Sequence, residues 1–277
     1  MADSVPSRLF KYQPYNTQTL DNPKNQVIWF SYPAIFNDPF DITIIPRLTE
    51  PSEEQWKLQA KQSREEYRRR GSHGVDYWDG LYLTDGKPNT EFRQMVMNSM
   101  DLSSGYMQVG NRTRGVACFS KTVDDILMWS HYADGHRGFC LEFDTGFAPL
   151  QDATKVVYDD HLPSLRLADA HKGIEFPNAA LMSTKSAHWR YEQEWRVFSE
   201  QGNMKFEIDA AALTGIYFGC AMPSEHSEII AIMLEGWPTQ LYRMERSTTE
   251  FKVIPALIVP PYPAPRDRKP KRRQSPS

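Results

Sequence analysis

The stretch Lys185–Phe198, KSAHWRYEQEWRVF, crowds two tryptophans, a tyrosine, two glutamates and three basic residues into fourteen positions. Strand periodicity sorts them. Trp189, Tyr191, Gln193, Trp195 and Val197 fall on one face, and Arg190, Glu192, Glu194, Arg196 and Phe198 on the other. Read so, Trp189–Phe198 is a strand with an aromatic face for a core and an opposite Glu-x-Glu face whose carboxylates stand about 7 Å apart. A helix is the competing reading, with Glu192 and Arg196 paired at i and i+4. Two glutamates at this spacing are either a catalytic pair or a solvated edge held by salt bridges.

Working outward, the second half of the chain reads as β-rich. GVACFS (115–120), GFCLEFD (138–144), KVVYD (155–159), MKFEID (204–209), GIYFG (215–219), QLYRME (240–245) and FKVIPALIV (251–259) all have strand texture, with a helix at 224–234. TVDDILMWSHYADGHRG supplies a Thr or Asp N-cap, about two helical turns and a glycine-closed loop. The chain opens with strand (RLFKY, 8–12), short helix and strand (VIWFS, 27–31), and then a turn at NDPFD (37–41) around Pro39. Residues 51–70 begin Pro-Ser-Glu-Glu and end Arg-Arg-Arg, which suits a helix and its dipole. Glycine and proline breakers predict a loop over 72–89, and helical spacing resumes over 90–102. The expectation is an α+β domain over residues 1–262 with a central, mainly antiparallel sheet, peripheral helices and a helical insertion at about 50–112. Residues 263–277, basic and proline-rich, are expected to be a disordered tail: an electrostatic arm or a solubilising end.

The 277 residues carry 32 Lys plus Arg against 35 Asp plus Glu, so the average field steers the protein toward neither nucleic acid nor acidic membranes. No apolar run approaches the roughly 20 residues of a membrane helix, and the start MADSVPSRLF lacks a signal-peptide core. Cys118, Cys140 and Cys220 are odd in number and widely spaced, which predicts buried thiols in a reducing cytoplasm.

Two further clusters mix aromatic with polar groups. Trp129, Ser130, His131, Tyr132, Asp134, His136 and Arg137 crowd one helix end; His131 is either a general base or ligand contact, or a partly buried histidine capping carbonyls. WFSYPAIFNDPFD runs an aromatic strand through Ser31 into Asn37, Asp38 and Asp41. Together the three clusters have the composition of a small-molecule pocket. No zinc spacing, phosphate loop or G-x-S-x-G elbow occurs.

LFKYQP, IWFSYPAIFNDPFD, ACFS, LMWSHYADGHRGFCLEFD and KSAHWRYEQEWRVF follow one another as the motifs of the bacterial domain-of-unknown-function family 2971, which the chain resembles over about residues 8–220. A weaker similarity is to ADP-ribosyltransferases, especially DNA-modifying toxins, which implies a split sheet and NAD as substrate. On that resemblance, Lys11 or Tyr12 would meet the adenosine ribose, with Lys11 a departure from the usual His or Arg. Trp129 or Tyr132 would stack on nicotinamide, and Glu194 or Glu192 would orient the nicotinamide ribose. Ser31 and Ser120 would hydrogen-bond the amide or ribose, Arg196 would hold a pyrophosphate oxygen or anchor the glutamates, and Asn37, Asp38, His131 and Trp189 would complete the site. The implied function is a toxin or phage-defence effector that modifies protein or nucleic acid. The alternatives are a Mg²⁺-dependent nuclease using Glu142, Asp144, Glu192 and Glu194, or a non-catalytic nucleotide-binding module.

Overall fold

The computed structural model describes residues 4–42, 47–48, 51–71, 75–162, 164–165 and 182–258; the basic tail expected at 263–277 lies outside them. The fold is α+β, and the chain divides into two compact units. The first comprises residues 1–31, 115–156 and 188–277, the second 32–114 and 157–187.

Ten strands lie in the first unit: β1 (Arg8–Gln13), β2 (Val27–Phe30), β3 (Gly115–Ser120), β4 (Phe139–Asp144), β5 (Thr154–Lys155), β6 (Glu194–Ser199), β7 (Met204–Glu207), β8 (Leu213–Phe218), β9 (Gln240–Arg246) and β10 (Val253–Leu257). Eight of them form an open sheet in the order β10-β9-β8-β4-β1-β3-β6-β5. Every neighbouring pair is antiparallel except β8 and β9, whose parallel pairing requires a crossover. The helix Ser224–Met233 provides it. β2 and β7 form a separate antiparallel ribbon, and Ser31 at the end of β2 bridges Val116 on β3.

Alternation along the strands gives the sheet two faces. Leu9, Phe119, Phe139, Leu141, Phe143, Trp195 and Val197 point into the larger core, where Ile28 and Phe30 of the ribbon and Ile230 of the crossover helix meet them. Phe10, Tyr12, Cys140 and Tyr217 point the other way, against Met128 and Trp129 of the short helix Ile126–Tyr132. Each such side chain taken fully out of water contributes roughly 1.5–3 kcal/mol. Cys140 is buried, whereas Cys118 and Cys220 are half-buried; all three are free thiols.

Two glycines make close approaches that a side chain would block. A Cβ on Gly138 would lie 2.2 Å from the carbonyl oxygen of Gln13, and one on Gly219 would lie 2.1 Å from that of His136. These contacts seat the loop 133–138 on the ends of β1 and β8.

In the second unit the helix Glu53–Arg69 has a capping box between Ser52 and Gln55, acids in its first turn and arginines in its last. It packs Trp56 and Ala60 on Trp78, Phe92 and Val96. The helix Thr90–Thr113 starts where its spacing predicts and runs well past Leu102. Val75–Tyr82 is a helix, in a stretch where breakers predict only loop. Trp78 and Tyr82, one turn apart, both pack on Phe92, and that burial outweighs the cost of Gly80 in mid-helix. Short pairings, 47–48 with 164–165 and 157–159 with 184–186, complete this unit. The run expected as one strand over 155–159 is therefore two, 154–155 pairing with β6 in the first unit and 157–159 with 184–186 in the second.

Candidate functional site

The strand expected from Trp189 begins only at Glu194. Ala187–Glu192 is a 3-10 helix, and the change occurs at Gln193, whose φ of 45° is left-handed. Backbone hydrogen bonds hold that residue on both sides: its N–H donates to Arg190 O at 3.3 Å, and its carbonyl accepts from Lys121 N at 3.1 Å. From Glu194 onward the expected alternation holds. Trp195 and Val197 enter the core, while Glu194 and Arg196 share the opposite face.

Cross-strand register places Glu142, Phe10, Ser120 and Glu194 in one row across β4, β1, β3 and β6. β4 pairs with β1 over six residues and β3 with β6 over six, but β1 and β3 share the single pair Phe10 and Ser120. Next to that pair, Lys11 Nζ donates to Cys118 O at 3.1 Å and stands 5.1 Å from the centre of the Phe119 ring. Burial pushes the Lys11 ammonium below its ordinary range, and Cys118, Glu194 and Cys140 oppose that shift by their charge. The Cys118 thiol is pushed up, by burial first and then by Glu194.

Glu194 is 4 % exposed and Arg196 fully buried. The guanidinium grips the carboxylate at two points, Nε to Oε1 at 2.8 Å and Nη2 to Oε2 at 2.9 Å, the fork geometry that makes such pairs strong. Glu194 O accepts from Val156 N at 2.9 Å, which fixes the backbone beneath the carboxylate. Glu192 is also buried, and Tyr132 donates its hydroxyl to Oε1 at 2.5 Å. Ser120 is buried too; its hydroxyl donates to Glu192 O at 2.7 Å and accepts from Thr122 N at 3.1 Å. It latches the turn before β6.

His131 is exposed. Its Nδ1 shares a 2.8 Å hydrogen bond with the Tyr191 hydroxyl, not with a backbone carbonyl, and its ring lies edge-on to both Trp189 and Tyr191. Trp129 is wholly buried, with Nε1 donating to Val123 O at 2.7 Å and its ring packed on Tyr12 and His136. It is a core residue with no face left for a ligand. Tyr12 is buried and donates to Thr122 O at 2.9 Å; burial pushes its phenol pKa up. Burial also lowers the pKa of His136.

Of the residues singled out in the sequence, Lys11, Ser120, Glu192, Glu194 and Arg196 converge on the β1–β3–β6 region, with His131, Tyr132 and Trp189 beside the turn. Ser31 lies elsewhere, opposite Val116, about 13 Å along β3 from Ser120. Asn37 and Asp38 belong to the second unit, where Asp38 is buried and its Oδ1 accepts from Phe40 N at 2.9 Å, making the expected turn. There Lys185 pairs with Asp41 at 3.6 Å, both buried. The four carboxylates of a nuclease site do not converge: Glu142 and Glu194 stand three strands apart, about 14 Å. Glu142 is instead bound by Thr214, Tyr217 and Arg8. Among the described residues no group of three His, Cys, Asp or Glu side chains is placed to hold a metal ion, and no helix is long and apolar enough to cross a membrane.

Sequence reasoning passed over Cys118, treated only as a thiol, and Tyr191, treated as part of an anchoring face. The signal for Cys118 is its position two residues before Ser120, on the side of β3 that meets Glu194 and Arg196.

The segment from Met128 to Val197 contains His131, Tyr132, Glu192, Glu194 and Arg196. It matches the family model described as protein of unknown function, DUF2971. Over those residues the chain resembles DUF2971. No curated protein matches the chain, and no solved structure does. The DUF2971 segment includes the helix Ile126–Tyr132 from its third residue, all of β4, the 3-10 turn and the first four residues of β6.

Proposed function

We propose that this protein cleaves the nicotinamide N-glycosidic bond of NAD and transfers the ADP-ribose, with Glu194 as the carboxylate beside the reacting ribose. One observation carries this reading. A buried carboxylate, clamped at two points by a fully buried guanidinium, stands in the row where β1 and β3 share their single pair. A second carboxylate, Glu192, stands two residues away, held by Tyr132.

In the reaction, the bond between ribose C1′ and the nicotinamide nitrogen breaks, and its electron pair leaves with nicotinamide. Positive charge develops at C1′ and the ring oxygen, and a preorganised anion stabilises that charge without reorganisation. Arg196 would hold Glu194 in one orientation for this purpose. An acceptor nucleophile then bonds to C1′ and gives up a proton, which Glu192 would take.

The test is release of nicotinamide from NAD, followed by chromatography. Wild type should release it and Glu194→Gln should lose at least about a hundred-fold, the scale of one lost electrostatic contact to a transition state. Equal release by the two proteins, both shown folded by thermal melting, would sink the assignment.

A further inference from the structure

The loop that closes the helix Ile126–Tyr132 contains a histidine that the proposed chemistry leaves unused. Asp134, Gly135 and His136 are left-handed in succession, with φ of 49°, 59° and 67°. Two of the three lack glycine's freedom, so contacts must hold them there. His136 makes several of those contacts. Its N–H donates to Trp129 O at 3.0 Å, its carbonyl accepts from Ala221 N at 3.1 Å, and its ring lies 6.4 Å from that of Trp129 at 15°.

The side-chain network fixes which ring nitrogen carries the proton. Ser130 Oγ stands 3.2 Å from His136 Nε2 and gives its own proton to Ile126 O at 2.8 Å. Nε2 is therefore the donor and Nδ1 the bare nitrogen. Nδ1 is buried and meets no hydrogen-bond partner among the described residues. A second proton would have to enter there, where it finds no acceptor and its charge is kept from water. The charged groups on the surrounding elements are engaged with other partners. Asp134 and Arg137 of the loop grip each other at two points, Asp125 caps the helix, His131 of the helix bonds to Tyr191, and Arg243 of β9 donates to Gly219 O and Met222 O.

The helix has seven residues, well below the roughly 12–15 at which a helix stands alone in water. It depends on its two ends. Asp125 Oδ1 accepts from Leu127 N and Met128 N at the first, and the loop closes the second, where Gly135 N donates to Ser130 O at 3.2 Å. Tyr132, the last residue of this helix, is the one that holds Glu192.

We propose that His136 is an acid-sensitive latch: neutral, it closes the loop on the helix end, and protonated, it leaves its place and lets that end fray, releasing Tyr132 from Glu192. The consequence for catalysis rests on the reaction proposed above; the latch does not. Its direction follows from burial, which lowers the pKa of His136 below the ordinary 6.5. The opened form takes up a proton more readily than the closed one, so the latch holds fully above 6.5 and weakens as pH falls from there toward the lowered value.

Nuclear magnetic resonance of the full chain is the test, with imidazole nitrogens and backbone amides followed from pH 7.5 to 5. His136 should be the Nε2–H tautomer at neutral pH and titrate below 6.5. Amide exchange at Ser130, His131 and Tyr132, corrected for its intrinsic pH dependence, should speed up by as much as about ten-fold per pH unit below 6.5, the linkage of one proton. In His136→Asn, which keeps a residue that accepts left-handed backbone, that acceleration should vanish while the titration of His131 persists. An Nδ1–H tautomer or a His136 midpoint at or above 6.5, both read on wild type without any variant, would overturn the proposal, as would equal acceleration in the two proteins. Absence of nicotinamide release would remove the reaction and leave the latch standing, since it is read on the protein alone.

Discussion

Two buried carboxylates occupy one row of the same sheet and are stabilised in different ways. Glu142 on β4 is met by the hydroxyls of Thr214 and Tyr217 and by Arg8, whose side chain is 62 % exposed. Glu194 on β6 is met by a guanidinium with no exposure at all. The first arrangement uses neutral donors and a cation that water already solvates, so removing one partner leaves the others. The second buries both charges, so their mutual attraction must offset a desolvation cost that the first arrangement largely avoids. The buried Tyr217 phenol, bonded to Glu142, is pushed up in pKa by burial first and by that carboxylate second. It is therefore a donor to Glu142 at neutral pH. Glu142 is held by two hydroxyls and a solvated cation; Glu194 is held by a buried guanidinium, with the Cys118 thiol and Lys11 beside it.

The largest effect should come from breaking the charged pair. Arg196→Met should cost about 3–5 kcal/mol, because it removes the two-point partner of a buried carboxylate, and urea denaturation would measure it. A loss below about 1 kcal/mol would mean that water reaches Glu194 and that the contrast with Glu142 is false. Glu194→Gln should cost roughly 2 kcal/mol, since the amide oxygen still accepts from Arg196 while its charge is gone. Glu142→Gln should cost about 1 kcal/mol in the same assay, the Thr214 and Tyr217 hydroxyls remaining able to donate.

Smaller still is a dependence on pH. The ammonium of Lys11 titrates below its ordinary 10.5 in the folded protein because burial disfavours its charge. Between the lowered folded value and 10.5 the unfolded chain binds more protons than the folded one, so stability from this group rises with pH. Relative to Lys11→Met, wild type should gain in urea midpoint as pH is raised toward 10.5, and a relative loss would show that Glu194 outweighs burial at this amine.

The contrast also separates what could be read in advance from what could not. Glu194, Trp195, Arg196 and Val197 obey a period of two, and their faces were legible because alternation is a property of adjacent residues. The row that aligns Glu194 with Glu142 is a matter of register between strands far apart in the chain, which no local pattern carries. Gln193 is a second kind of silence. A left-handed residue other than glycine announces itself only weakly, and this one converts the expected strand at Trp189–Glu192 into a 3-10 turn. The helix Val75–Tyr82 escaped for an opposite reason: local breakers were counted, while the burial of Trp78 against Phe92 that overrides them is tertiary. The resemblance offered Trp129 and Tyr132 alike for the nicotinamide, although one is sealed in the core and the other bonds to Glu192.

The single pair between β1 and β3 has a mechanical consequence. A sheet pulled across its strands shares the load among rungs acting in parallel, and on either side of this line six residue pairs share it. At the line itself one pair does, reinforced by the Lys11 ammonium, which donates to Cys118 O across it. The sheet thus has a seam held in part by a side chain. Lys11→Met would remove a stitch as well as a charge, and under tension the two halves should part there before any other strand is drawn away.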